Sequence, residues 1–167
     1  MSSHDPDPNE TPERVFVSAC LLGRRCKYDG GDNRDLVLEE ELAEQGLEAV
    51  PFCPEEAGGL GTPRPPAWLT APANEVARGE GRVVTDAGHD VTDGFRRGAE
   101  AAVELCRRED LRRAFLKERS PSCGCRQTHV DDRLVDGPGL TARLLQQAGV
   151  VCVGVEGRRT GSRPPSD

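Results

Sequence analysis

The chain predicts an α/β protein, a single-domain three-layer Rossmann-like fold with a mostly parallel sheet. Three observations lead there. Short apolar runs alternate with helical patterns along the whole chain, as in successive βαβ units. Three of those runs stop at a cysteine within turn residues: Val15 to Val17 before Ser18-Ala19-Cys20, Glu48 to Phe52 before Cys53-Pro54-Glu55, and Ala114 to Leu116 before Ser120-Pro121-Ser122-Cys123-Gly124. At 167 residues, the chain is long enough for one core and short for two.

Residues 1–13 are polar and proline-bearing and residues 157–167 are rich in Arg, Gly, Pro and Ser, so both are expected as disordered tails around a folded domain at 14–156. Val15 to Val17 makes the first strand. Cys20 to Gly31, with several glycines and Cys26, reads as a site loop. Asp32 or Asn33 is placed to cap a helix through about Gln45, with Leu38 and Leu42 on one side and Gly46 as its stop. Glu48 to Phe52 follows as the second strand, and the handedness of the crossover puts the first two cysteine loops at one end of the sheet. Between Cys53 and Pro72, proline and glycine exclude a regular helix or a central strand, and an ordered active-site loop is expected.

Val83-Val84 reads as a short strand. Thr92 caps the longest helix, to about Arg108, in which Phe95, Ala99, Ala102 and Cys106 share a face. Ala114 to Lys117 is a buried strand, Arg126 to Asp136 a small hairpin, and Leu140, Leu144, Leu145 and Ala148 one face of a helix stopped by Gly149. Val150 to Val155 closes the sheet.

Composition narrows the function. The net charge of -7 argues against a nucleic-acid binder, and a small-molecule partner is expected first. No run approaches the ~18 apolar residues of a membrane span, and the amino terminus lacks a secretory hydrophobic segment, so a cytoplasmic location is expected. Nothing in the composition sets an oligomeric state. Seven cysteines, an odd number spread widely, do not suit a disulfide framework; metal binding or thiol chemistry must account for some of them.

Parallel strands would gather Cys20, Cys53 and Cys123 at the carboxyl edge of the sheet, where open α/β sheets keep their sites. Three soft ligands suit zinc or an iron-sulfur cluster, and a site with three cysteines leaves a metal position open to substrate. Structural zinc sites use close Cys-x-x-Cys pairs, and none is present. Cys26 fits either a fourth ligand or a free nucleophile. Glu55, two residues after Cys53, is a candidate proton carrier. Ser120 and Ser122 would orient a substrate or bond to sulfur, with turn formation before proline as the plainer role. Cys106 and Cys152 read as core, Cys125 as a spare thiol, and His89 and His129 as solvated. Arg24, Arg25, Arg64 and Lys117 are surface charges by default, with an anionic or carbonyl-binding pocket as the alternative.

Three motifs together resemble a bacterial family first catalogued as a domain of unknown function and typified by thiouracil desulfidase. They are Ser18-Ala19-Cys20-Leu21-Leu22-Gly23 with Cys26 and Tyr28-Asp29-Gly30; Cys53-Pro54-Glu55 with Gly58-Gly59-Leu60 and Thr62-Pro63-Arg64-Pro65; and Lys117-Glu118-Arg119-Ser120-Pro121-Ser122-Cys123-Gly124. The resemblance implies a [4Fe-4S] cluster on Cys20, Cys53 and Cys123, with the fourth iron free for sulfur. It further implies hydrolytic removal of sulfur from a small thiolated heterocycle such as 2-thiouracil, with release of hydrogen sulfide, Glu55 carrying protons and Ser122, less so Ser120, positioning substrate. Trp68 and the Cys125 to His129 stretch depart from the family pattern. Two rival readings stand beside it: a cluster-free, persulfide-forming sulfur-transfer enzyme using Cys26, and a non-catalytic metal or redox sensor module.

Overall fold

A run of four residues buried on both faces, Val15 to Ser18, forms the centre of the molecule. It belongs to β1 (Glu13–Ser18), which pairs in parallel with β2 (Leu47–Phe52) on one side and β5 (Arg113–Lys117) on the other; β8 (Val151–Val155) adds outside β5. The order β2-β1-β5-β8 gives an all-parallel sheet. Near-continuous apolar strands are expected when helices cover both faces. These coordinates are a computed structural model, which describes residues 11–160.

Alternation along the strands sorts the layers. Val15 and Val17 of β1 and Phe115 of β5 pack on Leu38 and Leu42 of α1 (Leu36–Glu44). Phe16, Ala114 and Leu116 point the other way, onto Ala102 and Cys106 of α4 (Thr92–Arg108) and Ala142 and Leu145 of α5 (Leu140–Gln147). Helix, sheet and helix pair make the three layers that the alternating sequence predicts.

The far side of α4 carries a second, mixed sheet. It contains β3 (Ala67–Leu69), β4 (Val83–Thr85), β6 (Gln127–Val130) and β7 (Arg133–Asp136) in the order β4-β3-β6-β7. Leu69 and Val83 from this sheet meet Phe95 and Ala99 of α4, with Val76 of α3 (Ala73–Ala77) beneath them. The hairpin expected over Arg126 to Asp136 is present as β6 and β7, turned by Asp131 and Asp132 at φ 50° and 61°. Two positive φ values fit a two-residue hairpin loop, and Asp tolerates that region.

The stretch from Cys53 to Pro72 corrects the sequence reading. It holds a short helix, α2 (Pro54–Ala57), and the interior strand β3. Pro54 occupies the first helical turn, where a missing N–H costs nothing. The last proline before β3 is Pro66, so Ala67 to Leu69 keep every ladder donor. A second correction concerns the first helix, which is capped by Asp35 rather than Asp32 or Asn33: Asp35 Oδ1 accepts the Leu38 N–H at 2.8 Å.

Residues 1–10 and 161–167, most of the two expected tails, lie outside the described residues. Gly157 to Arg159, drawn from the sequence into the second tail, close on the buried Asp35. Gly157 N–H and Arg159 Nε donate to Asp35 Oδ2 at 3.1 and 2.7 Å, and Arg158 N–H donates to the Asn33 carbonyl at 3.1 Å. Among the described residues, no helix is long and apolar enough to cross a membrane.

Candidate active site

Strand order turns between β1 and β5, because one crossover runs from β1 out to β2 and the later ones run through β5 to β8. A crevice forms at the carboxyl ends of strands beside such a reversal. Here it is a cavity of about 670 Å³. Cys20 after β1, Cys53 after β2 and Cys123 after β5 all line it, as do Cys26, Glu55 and Ser120. Three cysteines distant in sequence thus line one cavity.

Each thiol is held by its own loop. Cys20 sits in a 3-10 turn, Ala19–Leu22, clasped by Asn33: the Asn33 backbone N–H donates to the Cys20 carbonyl at 2.9 Å, and Nδ2 donates to Cys20 Sγ at 3.4 Å. Cys53 is the residue before α2. That helix lies against α4 so closely that a Cβ on Gly98 would stand 1.9 Å from the Pro54 carbonyl oxygen, so only glycine fits. Cys123 rides on a turn whose centre is Ser120 Oγ, which accepts the N–H groups of Ser122 and Cys123, both at 3.1 Å. Gly124 next to it has the Gln127 carbonyl oxygen 2.2 Å from where a Cβ would be.

Below that turn, the buried Glu118 accepts from three successive backbone N–H groups through Oε1: Cys125 and Arg126 at 2.8 Å and Gln127 at 3.1 Å. Burial by itself would raise the Glu118 carboxyl, but those donors outweigh it and hold it below its ordinary value.

Cys26 is only 2% exposed and lies between Cys20 and Cys53. Its thiol shares its proton with both neighbours and is pushed up accordingly. The same hydrogen bond lowers Cys20 to about 7, against burial and with help from the Asn33 amide. Cys53 is lowered likewise, first by Cys26 and, against burial, by the Glu56 N–H. Cys123 is raised by full burial, which the Ser18 hydroxyl offsets in part. Cys26 lines the cavity but is more deeply buried than Cys20 and Cys53.

Glu55 faces the cavity with a fixed orientation. Arg64 Nε donates to Oε2 at 2.8 Å, and Ser120 Oγ lies 3.5 Å from Oε1. The Arg64 guanidinium also donates through Nη2 to the Cys26 carbonyl at 2.8 Å. Surface charge is the default expectation for Arg64 and a pocket lining the alternative; Arg64 lines the cavity. Lys117 lines the cavity as well, and burial lowers its ammonium from the ordinary value.

Ser122 is the clear misplacement. Its hydroxyl is buried against Thr141 Oγ1 at 2.6 Å and does not line the cavity. Because Cys123 faces the site, a tight turn sends its neighbour the opposite way, and Ser120 is the serine that meets the cavity. His129, expected in solvent, lines the cavity from β6 with Nδ1 3.1 Å from the Arg119 carbonyl, and Trp68 forms part of the wall. Cys125, Cys106 and Cys152 pack in or against the core beneath the first sheet, away from the cavity.

Among the described residues, Cys26, Cys53 and Glu56 bring ligand atoms within 4.8 Å of one another, close enough for one ion. Cys20 and Cys123 stand outside that group. Thiolates spread around a cavity suit a polynuclear cluster better than a single ion, since each sulfur then binds a different iron.

A family model described as 2-thiouracil desulfurase matches residues 15–156. The chain is 35% identical over 139 residues to the uncharacterized protein YbbK of Bacillus subtilis (strain 168), covering 81% of this chain and 91% of that one. Among solved structures, it is similar to the [4Fe-4S]-dependent thiouracil desulfidase TudS, with a TM-score of 0.71 and 41% identity over 85% of this chain and 90% of that one.

Proposed function

The chain belongs to the 2-thiouracil desulfurase family, and from that premise we propose that it removes sulfur from a small thiolated heterocycle such as 2-thiouracil, with a [4Fe-4S] cluster held by Cys20, Cys53 and Cys123. The observation that carries this reading is their convergence, from three separate strand ends, on one cavity that also presents Glu55 and Ser120. The donor set fits such a group. Three soft thiols face one space, an amide N–H reaches Cys20, and a backbone N–H reaches Cys53. When bound, the cluster supplies a thiophilic, Lewis-acidic iron for the sulfur of the substrate.

The net change is C=S to C=O. Water provides the oxygen, its two hydrogens leave with the sulfur as hydrogen sulfide, and no outside electron donor is needed. Glu55 takes a proton from the incoming water at Oε1. Arg64 occupies the other oxygen, Oε2, so the free lone pairs of Oε1 face Ser120 and the cavity. Ser120 holds two jobs, fixing the Cys123 turn through its accepted N–H bonds and orienting Oε1 through its hydroxyl. Trp68, Leu60, Pro66 and Phe95 give the cavity an apolar wall suited to a small planar heterocycle.

The test is turnover. Protein reconstituted anaerobically with iron and sulfide is expected to convert 2-thiouracil to uracil with one hydrogen sulfide per uracil. Loaded protein that leaves 2-thiouracil and related thiolated pyrimidines unchanged would favour the sensor reading instead.

A further inference from the structure

Cys26, which lines the cavity, and Glu56 bring ligand atoms close to Cys53, a proposed cluster ligand. The geometry points to a second use of this edge: in protein without its cluster, Cys26, Cys53 and Glu56 bind one thiophilic divalent cation, of which zinc is the abundant example, and that ion and the cluster exclude each other. The binding half stands on its own. The exclusion half rests on the cluster reading above, since Cys53 would serve both.

Spacing comes first. One sulfur from each cysteine and one Glu56 carboxylate oxygen lie within 4.8 Å of one another, so small rotations bring all three onto a single ion. Two thiolates and a carboxylate are zinc-type ligands, and three protein ligands leave a fourth position for water.

The state of Glu56 is the second observation. Its Oε1 is buried without a hydrogen-bond partner. Arg24 Nη2 approaches it at 2.9 Å as an ion pair but off the hydrogen-bonding directions. The other oxygen, Oε2, accepts from Thr62 Oγ1 at 2.9 Å, which fixes the carboxylate as outer partners fix metal ligands. A buried carboxylate oxygen whose ion-pair partner is the largely exposed Arg24 keeps a hydrogen-bonding direction unused beside two thiols, and a divalent ion fits there.

Cobalt(II) serves as the probe, because tetrahedral thiolate coordination gives it sulfur-to-metal charge-transfer and strong visible bands. Chelator-stripped protein, titrated anaerobically, is expected to bind one cobalt with that spectrum. Cys26→Ser and Glu56→Gln are each expected to weaken binding by more than about tenfold, while Cys123→Ala binds as the wild type does. Unchanged affinity in both Cys26→Ser and Glu56→Gln would overturn the assignment. So would a loss in Cys123→Ala equal to that in Cys26→Ser, which would put the ion among the cluster cysteines.

For the exclusion, zinc added before reconstitution should block iron and sulfide uptake in the wild type and leave it intact in Cys26→Ser. Uptake unaffected by zinc in the wild type refutes it. Wild-type protein that binds cobalt but never assembles a cluster would sink the function proposed above and leave this site standing.

Discussion

Arg64 and Glu55 are locked together at the mouth of the site, guanidinium Nε to carboxylate Oε2 at 2.8 Å, while the same guanidinium holds the Cys26 carbonyl. The carboxylate proposed to carry protons and the Cys26 loop are thus set by one side chain. Glu55→Gln is expected to keep its iron and lose about 10²-fold or more in kcat, the usual worth of a positioned acid or base. Arg64→Ala is expected to lose about 10- to 100-fold through misplacement of Glu55, with iron content unchanged. Wild-type kcat in Arg64→Ala would remove its positioning role.

The two serines of the Ser120-Pro121-Ser122 turn should separate cleanly. Ser120→Ala takes a hydroxyl from the cavity and from two backbone N–H groups, so both turnover and cluster retention should fall. Ser122→Ala removes only the buried bond to Thr141 and should cost about 1 kcal/mol of stability with kcat intact. Steady-state kinetics and thermal melts on the two variants check this, and the reverse ranking would restore Ser122 to the site.

Close contact between α2 and α4 at Gly98 positions the Cys53 loop. A methyl there meets the Pro54 carbonyl oxygen at 1.9 Å, and the overpacking penalty of about 1–3 kcal/mol exceeds the ~1 kcal/mol that alanine adds in helix propensity. Gly98→Ala is expected to melt at lower temperature and to retain less iron. A variant as stable and as iron-rich as the wild type would show that the contact is not decisive.

Acid should release the loop that follows Cys123. The folded-state value of Glu118 lies below the ordinary 4.5, so its contribution is complete above about that pH and is lost as pH falls through the lower folded value. Glu118→Gln should therefore be less stable than the wild type at neutral pH by about 1–3 kcal/mol. The gap should narrow as pH drops below 4.5. Melting curves across the acid range test the sign; a gap that widens there contradicts it.

Much of this was legible in the chain because strand ends and turns announce themselves locally. Val15 to Val17 running into Cys20, and Ala114 to Lys117 running into Cys123, read correctly as parallel strands feeding one edge. Direction within a turn did not. Which of Ser120 and Ser122 meets the cavity depends on the backbone between them, and sequence spacing cannot give it. Interior strand β3 was hidden by the prolines before it, and Asn33 by its equal fitness as a helix cap. The clasp of Asp35 on Gly157 and Arg159 joins positions more than 120 apart, which no local pattern reports.

Iron and sulfide content after anaerobic reconstitution tests the ligand set most directly. Wild-type protein is expected to hold four of each, as a [4Fe-4S] cluster requires, and Cys20→Ala, Cys53→Ala and Cys123→Ala each to lose most of it while Cys125→Ala and Cys152→Ala do not. Full iron in any of the first three, or loss only on changing Cys125 or Cys152, would place the cluster elsewhere and contradict the assignment.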